Sequence, residues 1–93
     1  MMDDRFEWDD AKAEANLRKH CIAFEVAKAV FDDPKGLVDY DDSTGEARDL
    51  IIGMVAGVVL VVISTDRGSR LRIISARRAN RHEQDRYYRQ ALH

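Results

Sequence analysis

The sequence predicts a single α+β domain, with a short strand, two helices, an antiparallel meander and a terminal helix. Three observations carry that expectation. The 93-residue chain has room for one core only. Apolar residues follow a helical period in the first third and a run of β-branched residues fills the middle. A polar, arginine-rich segment with a helix-start pattern closes the chain.

Phe6 and Trp8 flank Glu7 with a period of two, which suits a short strand. Asp9 or Asp10 can cap a helix through AKAEANLRKH, with Ala13, Leu17 and His20 or Cys21 on its inner face. A second helix, about residues 24–31, sets Phe24, Ala27, Val30 and Phe31 on one side, and Pro34 and Gly36 end it. LVDY (37–40) begins the sheet and the polar loop DDSTGEA follows. RDLIIGMV (48–55) and VVLVVIST (58–65) form a hairpin across Ala56-Gly57. After the turn Asp66-Arg67-Gly68, RLRIISAR (70–77) returns beside it, so successive hairpins make these strands antiparallel. Asn80 opens a last helix to about Leu92, and Asn80 with Glu83 forms a capping-box pattern.

The composition excludes several classes. Hydrophobic residues are 45% and charged residues 34%, which is ordinary for a folded soluble domain. The apolar run LIIGMVAGVVLVVI (50–63) is short for a membrane span and is broken by two glycines, so no membrane partner is expected. MMDDRFEWDD lacks a basic start and an apolar run, and the one cysteine, Cys21, cannot form an internal disulfide; both suit a reducing cytoplasm. Cys21 itself reads as a small buried hydrophobe. His20, His82 and His93 have no metal-ligand spacing, so neither a metal nor another cofactor is expected. So small a core makes a partner or a dimer contact an expectation.

The net charge of −2 hides an asymmetry. Residues 1–50 hold 14 acids and 7 bases; residues 51–93 hold 3 acids and 8 bases, every one of them arginine. An acid-poor half can present a basic face to a polyanion, and arginine holds phosphate in a planar, bidentate fork. On the strand 70–77, Arg70 and Arg72 share a face, opposite Leu71 and Ile73. Arg77, Arg78 and Arg81 lie where strand meets helix, and helix N-terminal amides favour anions there. His82, Arg86 and Arg89 make a stripe on the last helix. A phosphate site with a histidine beside it suits RNA cleavage. RNA carries its own nucleophile, the 2′-hydroxyl, so a base, an acid and cations suffice.

These segments bring a known family into view. FEWDDAKAEANLRKH, AFEVAKAVFDDP, the TDRG turn and LRIISARRANRHEQDRYY occur in the order seen in the BrnT family, and the resemblance covers about residues 5–88. It implies a fold similar to RelE-type ribonuclease toxins, with a small antiparallel sheet packed by two N-terminal helices and one C-terminal helix. It implies metal-independent endonucleolytic cleavage of RNA that inhibits translation. The implied partner is a BrnA-like ribbon-helix-helix antitoxin, through which alone operator DNA is bound. A homodimer or a heterotetramer with the antitoxin is the expected assembly. Cys21 stands where the family usually has Gly, Ala23 where Ser is frequent, Arg78 where Lys is usual, and His82 where Arg is common.

The candidate catalytic set is Arg70, Arg72, Arg77, His82 and Glu83. Arg67, Arg78, Arg81, Trp8, His20 and Tyr87 are candidate RNA contacts. Plainer roles stand beside these. Glu83 suits a helix cap, His20 a helix C-terminus, Trp8 the core or an antitoxin interface. Only one of Tyr87 and Tyr88 can pack inward while the other is partly exposed. Arg86 and Arg89 suit a solvated face, with Arg89 able to pair with Asp85. The rival to a ribonuclease is a non-catalytic RNA- or protein-binding module that uses the same arginines.

Overall fold

The computed structural model describes residues 1–42 and 45–91. Ser43 and Thr44 of the polar loop, and Leu92, the expected end of the last helix, lie outside the described residues. The elements are β1 (Phe6–Glu7), α1 (Asp10–His20), α2 (Phe24–Ala27), a 3-10 turn (Lys28–Asp32), β2 (Leu37–Asp41), β3 (Arg48–Val55), β4 (Val58–Arg67), β5 (Arg70–Arg78) and α3 (Arg81–Ala91). They form one five-stranded sheet in the order β1-β5-β4-β3-β2, an α+β architecture. Strands β2 to β5 are antiparallel as expected, but β1 pairs in parallel with β5, Phe6 beside Leu71 and Glu7 beside Arg72. The sheet is therefore mixed. The chain between β1 and β5 returns through the helices and the meander, which leaves β5's outer edge for β1 to join in the same direction.

Each face of the sheet has its own core. On one, α1, α2 and the 3-10 turn bury Phe24, Ala27 and Val30 against Phe6, Trp8, Ile51, Leu60, Val62, Ile73 and Ala76. On the other, α3 brings Tyr87 against Ile52, Val59 and Val61. The second helix is shorter than expected: its α-helical part stops at Ala27 and continues as the 3-10 turn. Its N-cap position is Ala23, with no side-chain cap.

Helix α1 starts as expected, with the Asp9 carboxylate accepting from the Lys12 amide at 3.0 Å. Ala13 packs against the core as expected, but the rest of the inner face differs. Leu17 is 48% exposed and Cys21 is exposed, whereas Asn16 is buried. Cys21 ends the helix with φ 58°, the left-handed region that glycine adopts more easily. The hairpin joining β3 and β4 also turns through positive φ, at Ala56 and Gly57. Gly53 is required for another reason: a Cβ there would stand 3.0 Å from Val30 Cβ and 3.1 Å from the Val30 carbonyl oxygen.

One irregularity sets the sheet's chemistry. The β4–β5 register slips at Ile63/Ser64: Ser64 faces Ile73 and Ile63 faces Ser75, so Ile74 is an extra residue, a β-bulge. Strict alternation would put Arg77 on the side of Leu71 and Ile73. The bulge inverts the parity, so Ala76 enters the core and Arg77 joins Arg70 and Arg72 on the α3 side.

Candidate nucleic-acid interface

The register lays a row of polar side chains across the α3 side of the sheet, at the end of the strands that α3 leaves uncovered. Asp41 of β2 faces Arg48 of β3 and Thr65 of β4 faces Arg72 of β5. Asp49 pairs with Ser64, which makes Arg48 and Thr65 the next neighbours, and Arg72 faces Glu7 of β1. Arg67 and Arg70 face each other at the adjoining hairpin. The row thus runs Asp41, Arg48, Thr65, Arg72, Glu7, and combines residues from all five strands.

The arginines on this surface differ in how firmly they are held. Arg70 donates from Nε to the Asp3 carbonyl at 2.7 Å. Arg77 makes a two-pronged bond to Glu83, 2.7 and 2.8 Å. Arg86 of α3 reaches Asp39 at 2.6 Å. Arg48 and Arg72 are different. They form longer ion pairs, with Glu46 at 3.8 Å and Glu7 at 3.5 Å, and both Nε groups are buried with no hydrogen-bond partner. Their side chains stay 29% and 34% exposed. A buried Nε–H without an acceptor is under-satisfied, and the exposed edge of each guanidinium can donate charge-assisted hydrogen bonds to an oxyanion.

Glu83 occupies the helix-start position where an anion was expected. Its carboxylate accepts from the Asn80 amide and the Asn80 side chain accepts from the Glu83 amide, both at 2.9 Å, which completes the capping box. The Arg77 bonds, aided by the Asn80 amide, hold its carboxyl below the ordinary range although burial opposes them. The same pairing raises Arg77. Asp39 is likewise lowered by Arg86. Asp33 is lowered despite burial, by hydrogen bonds from Tyr87 and the amides of Met54 and Lys35. Its bond from the Tyr87 hydroxyl, 2.5 Å, fastens α3 to the corner before β2.

The structure brings Arg67, Arg70, Arg72 and Arg77 to one face, with Glu83 attached to Arg77. It separates the others. Arg78 pairs with Leu60 and falls on the opposite face, beside Cys21, Ile22 and Val26. His20 ends α1, on that opposite face too. Trp8 is 4% exposed and packs edge-on against Phe24, so its ring is not offered to a base. Tyr87 is buried by the same measure, and Tyr88 is the exposed one of the pair. Arg81 is 93% exposed and approaches Asp85 at 3.9 Å, the partner expected for Arg89. His82 is exposed at the start of α3. Asp41, Arg48, Thr65 and Glu7 are the members of the row outside the candidate set that the sequence supplied. Glu7 was legible, since alternation with buried Phe6 and Trp8 points it the other way.

The fold and this face define a small α+β protein that gathers several arginines on one side of its sheet. The comparison with protein families is more specific. A model described as the ribonuclease toxin BrnT of type II toxin–antitoxin systems matches residues 8–83, and the chain belongs to that family. No curated protein sequence matches the chain closely. Among the described residues no helix is long and apolar enough to cross a membrane.

Proposed function

We propose that this family member cuts RNA endonucleolytically in the cytoplasm without a metal ion, by attack of the 2′-hydroxyl on the adjacent phosphate, and thereby inhibits translation. The product is a 2′,3′-cyclic phosphate. One observation supports the reading: two half-buried arginines, Arg48 and Arg72, share one sheet face with their Nε groups lacking hydrogen-bond partners and their carboxylate neighbours at 3.8 and 3.5 Å. Arg67 adds charge at the rim. Arg70 and Arg77, held by Asp3 and Glu83, brace the strand that carries Arg72. A BrnA-like ribbon-helix-helix antitoxin neutralises the protein and supplies the contact to operator DNA.

The test is incubation of labelled RNA with the purified protein in excess EDTA, with analysis of fragment ends. Cyclic-phosphate ends that vanish with Arg72→Gln support the proposal. Tight RNA binding with the RNA left intact would favour the non-catalytic binding module.

A further inference from the structure

We propose that Glu7 is the general base of this site, accepting the 2′-hydroxyl proton while Arg72 and Arg48 hold the scissile phosphate over Thr65. The inference rests on the ribonuclease reading and adds the proton acceptor that reading lacks.

Among the described residues, Glu7, Asp39, Asp41, Glu46 and Glu83 lie on or border this face, and Glu46 stands beside Arg48 at 3.8 Å, two strands from Arg72. Asp39 receives Arg86, and Glu83 receives Arg77 and the Asn80 amide. Asp41 is two strands beyond Thr65, behind Arg48. Glu7 is the carboxylate next to Arg72, at 3.5 Å from its Nε, and its side chain remains 21% exposed. It is also rigidly placed. Phe6 and Trp8 on either side are 3% and 4% exposed, and Glu7 pairs with Arg72 in the β1–β5 ladder. A base must lie within hydrogen-bond reach of the proton it takes. In RNA the 2′-oxygen is the nearest hydroxyl to the phosphorus it attacks. A phosphate gripped by Arg72 therefore brings that hydroxyl to the neighbouring carboxylate.

Arg48 completes the grip from the far side. It lies two strands from Arg72, about 10 Å between backbones, so two long side chains can converge over Thr65, which is 6% exposed. Thr65 is fixed by donating its hydroxyl to the Ala47 carbonyl at 3.1 Å, one residue before Arg48. In the reaction the Glu7 carboxylate takes the 2′-hydroxyl proton, O2′ bonds to phosphorus and the bond from phosphorus to O5′ breaks. The departing O5′ takes a proton from a water molecule. The hydroxide left behind removes the proton from Glu7 and resets the site.

The experiment uses the full chain with two RNAs. One is cleavable; the other carries a 2′-O-methyl group at each ribose and reports binding alone by fluorescence anisotropy. Glu7→Gln should lower the cleavage rate by roughly 10²–10⁴-fold, with binding of the methylated RNA retained. Glu7→Asp, which keeps a carboxylate, should retain measurable cleavage and covers the case in which Glu7→Gln does not fold. Arg48→Gln should weaken binding and reduce the slope of log affinity against log salt by about 0.7, the loss of one single-strand phosphate contact. Cleavage by folded Glu7→Gln within about threefold of the parent would overturn the assignment of the base. So would an equally inactive, folded Glu7→Asp. An unchanged salt slope in Arg48→Gln would overturn the grip. In each case the parent's own cleavage leaves the ribonuclease reading standing; a folded parent that cuts no RNA overturns both.

Discussion

Asn16 is the side chain whose loss should cost most for its size. Strand β1 covers β5 only at Leu71 and Arg72, so the outer edge of β5 at Ala76 would be bare. Asn16 of α1 takes the missing strand's place. Its amide nitrogen donates to the Ala76 carbonyl at 2.9 Å and to the Ile22 carbonyl at 3.0 Å, while its oxygen accepts from the Ala76 amide at 3.1 Å. All three bonds are buried. At about 1 kcal/mol net each, with an added penalty for the orphaned amide, Asn16→Ala should destabilise by about 3–4 kcal/mol. That is a large share of the ~5–15 kcal/mol that a domain possesses, and it lowers Tm by at least ~12 °C. Urea titration followed by fluorescence reads the loss directly, because Trp8 is the only tryptophan and is buried. Asn16→Asp should be comparably damaging at neutral pH, since a carboxylate oxygen would then face two carbonyls. A cost below about 1 kcal/mol for Asn16→Ala, at unchanged m-value, would refute the account of this edge.

Four further outcomes follow from the same contacts. Cys21→Gly should stabilise by about 1 kcal/mol, because a non-glycine residue is strained at φ 58°, and thermal melting measures it. Ala23→Ser should add about 1 kcal/mol by supplying the absent cap, read in the same melt. In acid, Asp3 (lowered to about 2 by the Phe6 amide and Lys28), Asp33, Asp39 and Glu83 all have depressed folded values. The unfolded chain therefore protonates first: their contribution is present above about 4.5 and is lost as pH falls towards 2, visible as a steepening decline in urea midpoint below that pH. In alkali, burial and Asp33 push Tyr87 up to about 12, so its contribution is complete below 10 and lost as pH rises through 12; phenolate absorbance should show one tyrosine ionising last.

Much of this was legible in the residues. The Asn80–Glu83 box, the Asp9 cap and the hairpin at Ala56-Gly57 are local patterns, and local patterns survive folding. Parallel pairing of β1 was not legible, because a two-residue strand carries no mark of its partner's direction. Leu17 and Asn16 exchanged places for a related reason. Helical periodicity ranks positions by apolarity, and it cannot register an amide whose value lies in hydrogen bonds to a strand 60 residues away. The clustering of arginines was visible in the sequence, but their sorting was not. Alternation carries no sign of the bulge at Ile74, so the face of Arg77 and of Arg78 depended on one unpaired residue. Arg48 was overlooked because it is remote in sequence from the other arginines and adjacent to Arg72's row only through the sheet.

The charge asymmetry acquires a structural meaning from that sorting. Acids of the first half fasten bases: Asp32 holds Arg5, Asp39 holds Arg86 and Asp3 holds Lys28, while the Asp3 carbonyl takes Arg70. Exposed pairs of this kind add little stability individually, but each fixes a direction, and a fastened guanidinium is a poor ligand for a phosphate. Glu46 and Glu7, which pair with Arg48 and Arg72, stand farther off, at 3.8 and 3.5 Å. A carboxylate at that distance offsets charge repulsion between the arginines in the free protein without satisfying their donors. On the proposed function, an arriving phosphate would meet guanidinium groups held only by these longer contacts. Preorganised donors of this kind favour developing negative charge because little reorganisation is needed when it forms. The acidic half therefore sets, by where it reaches and where it falls short, how firmly several of these cations are fastened.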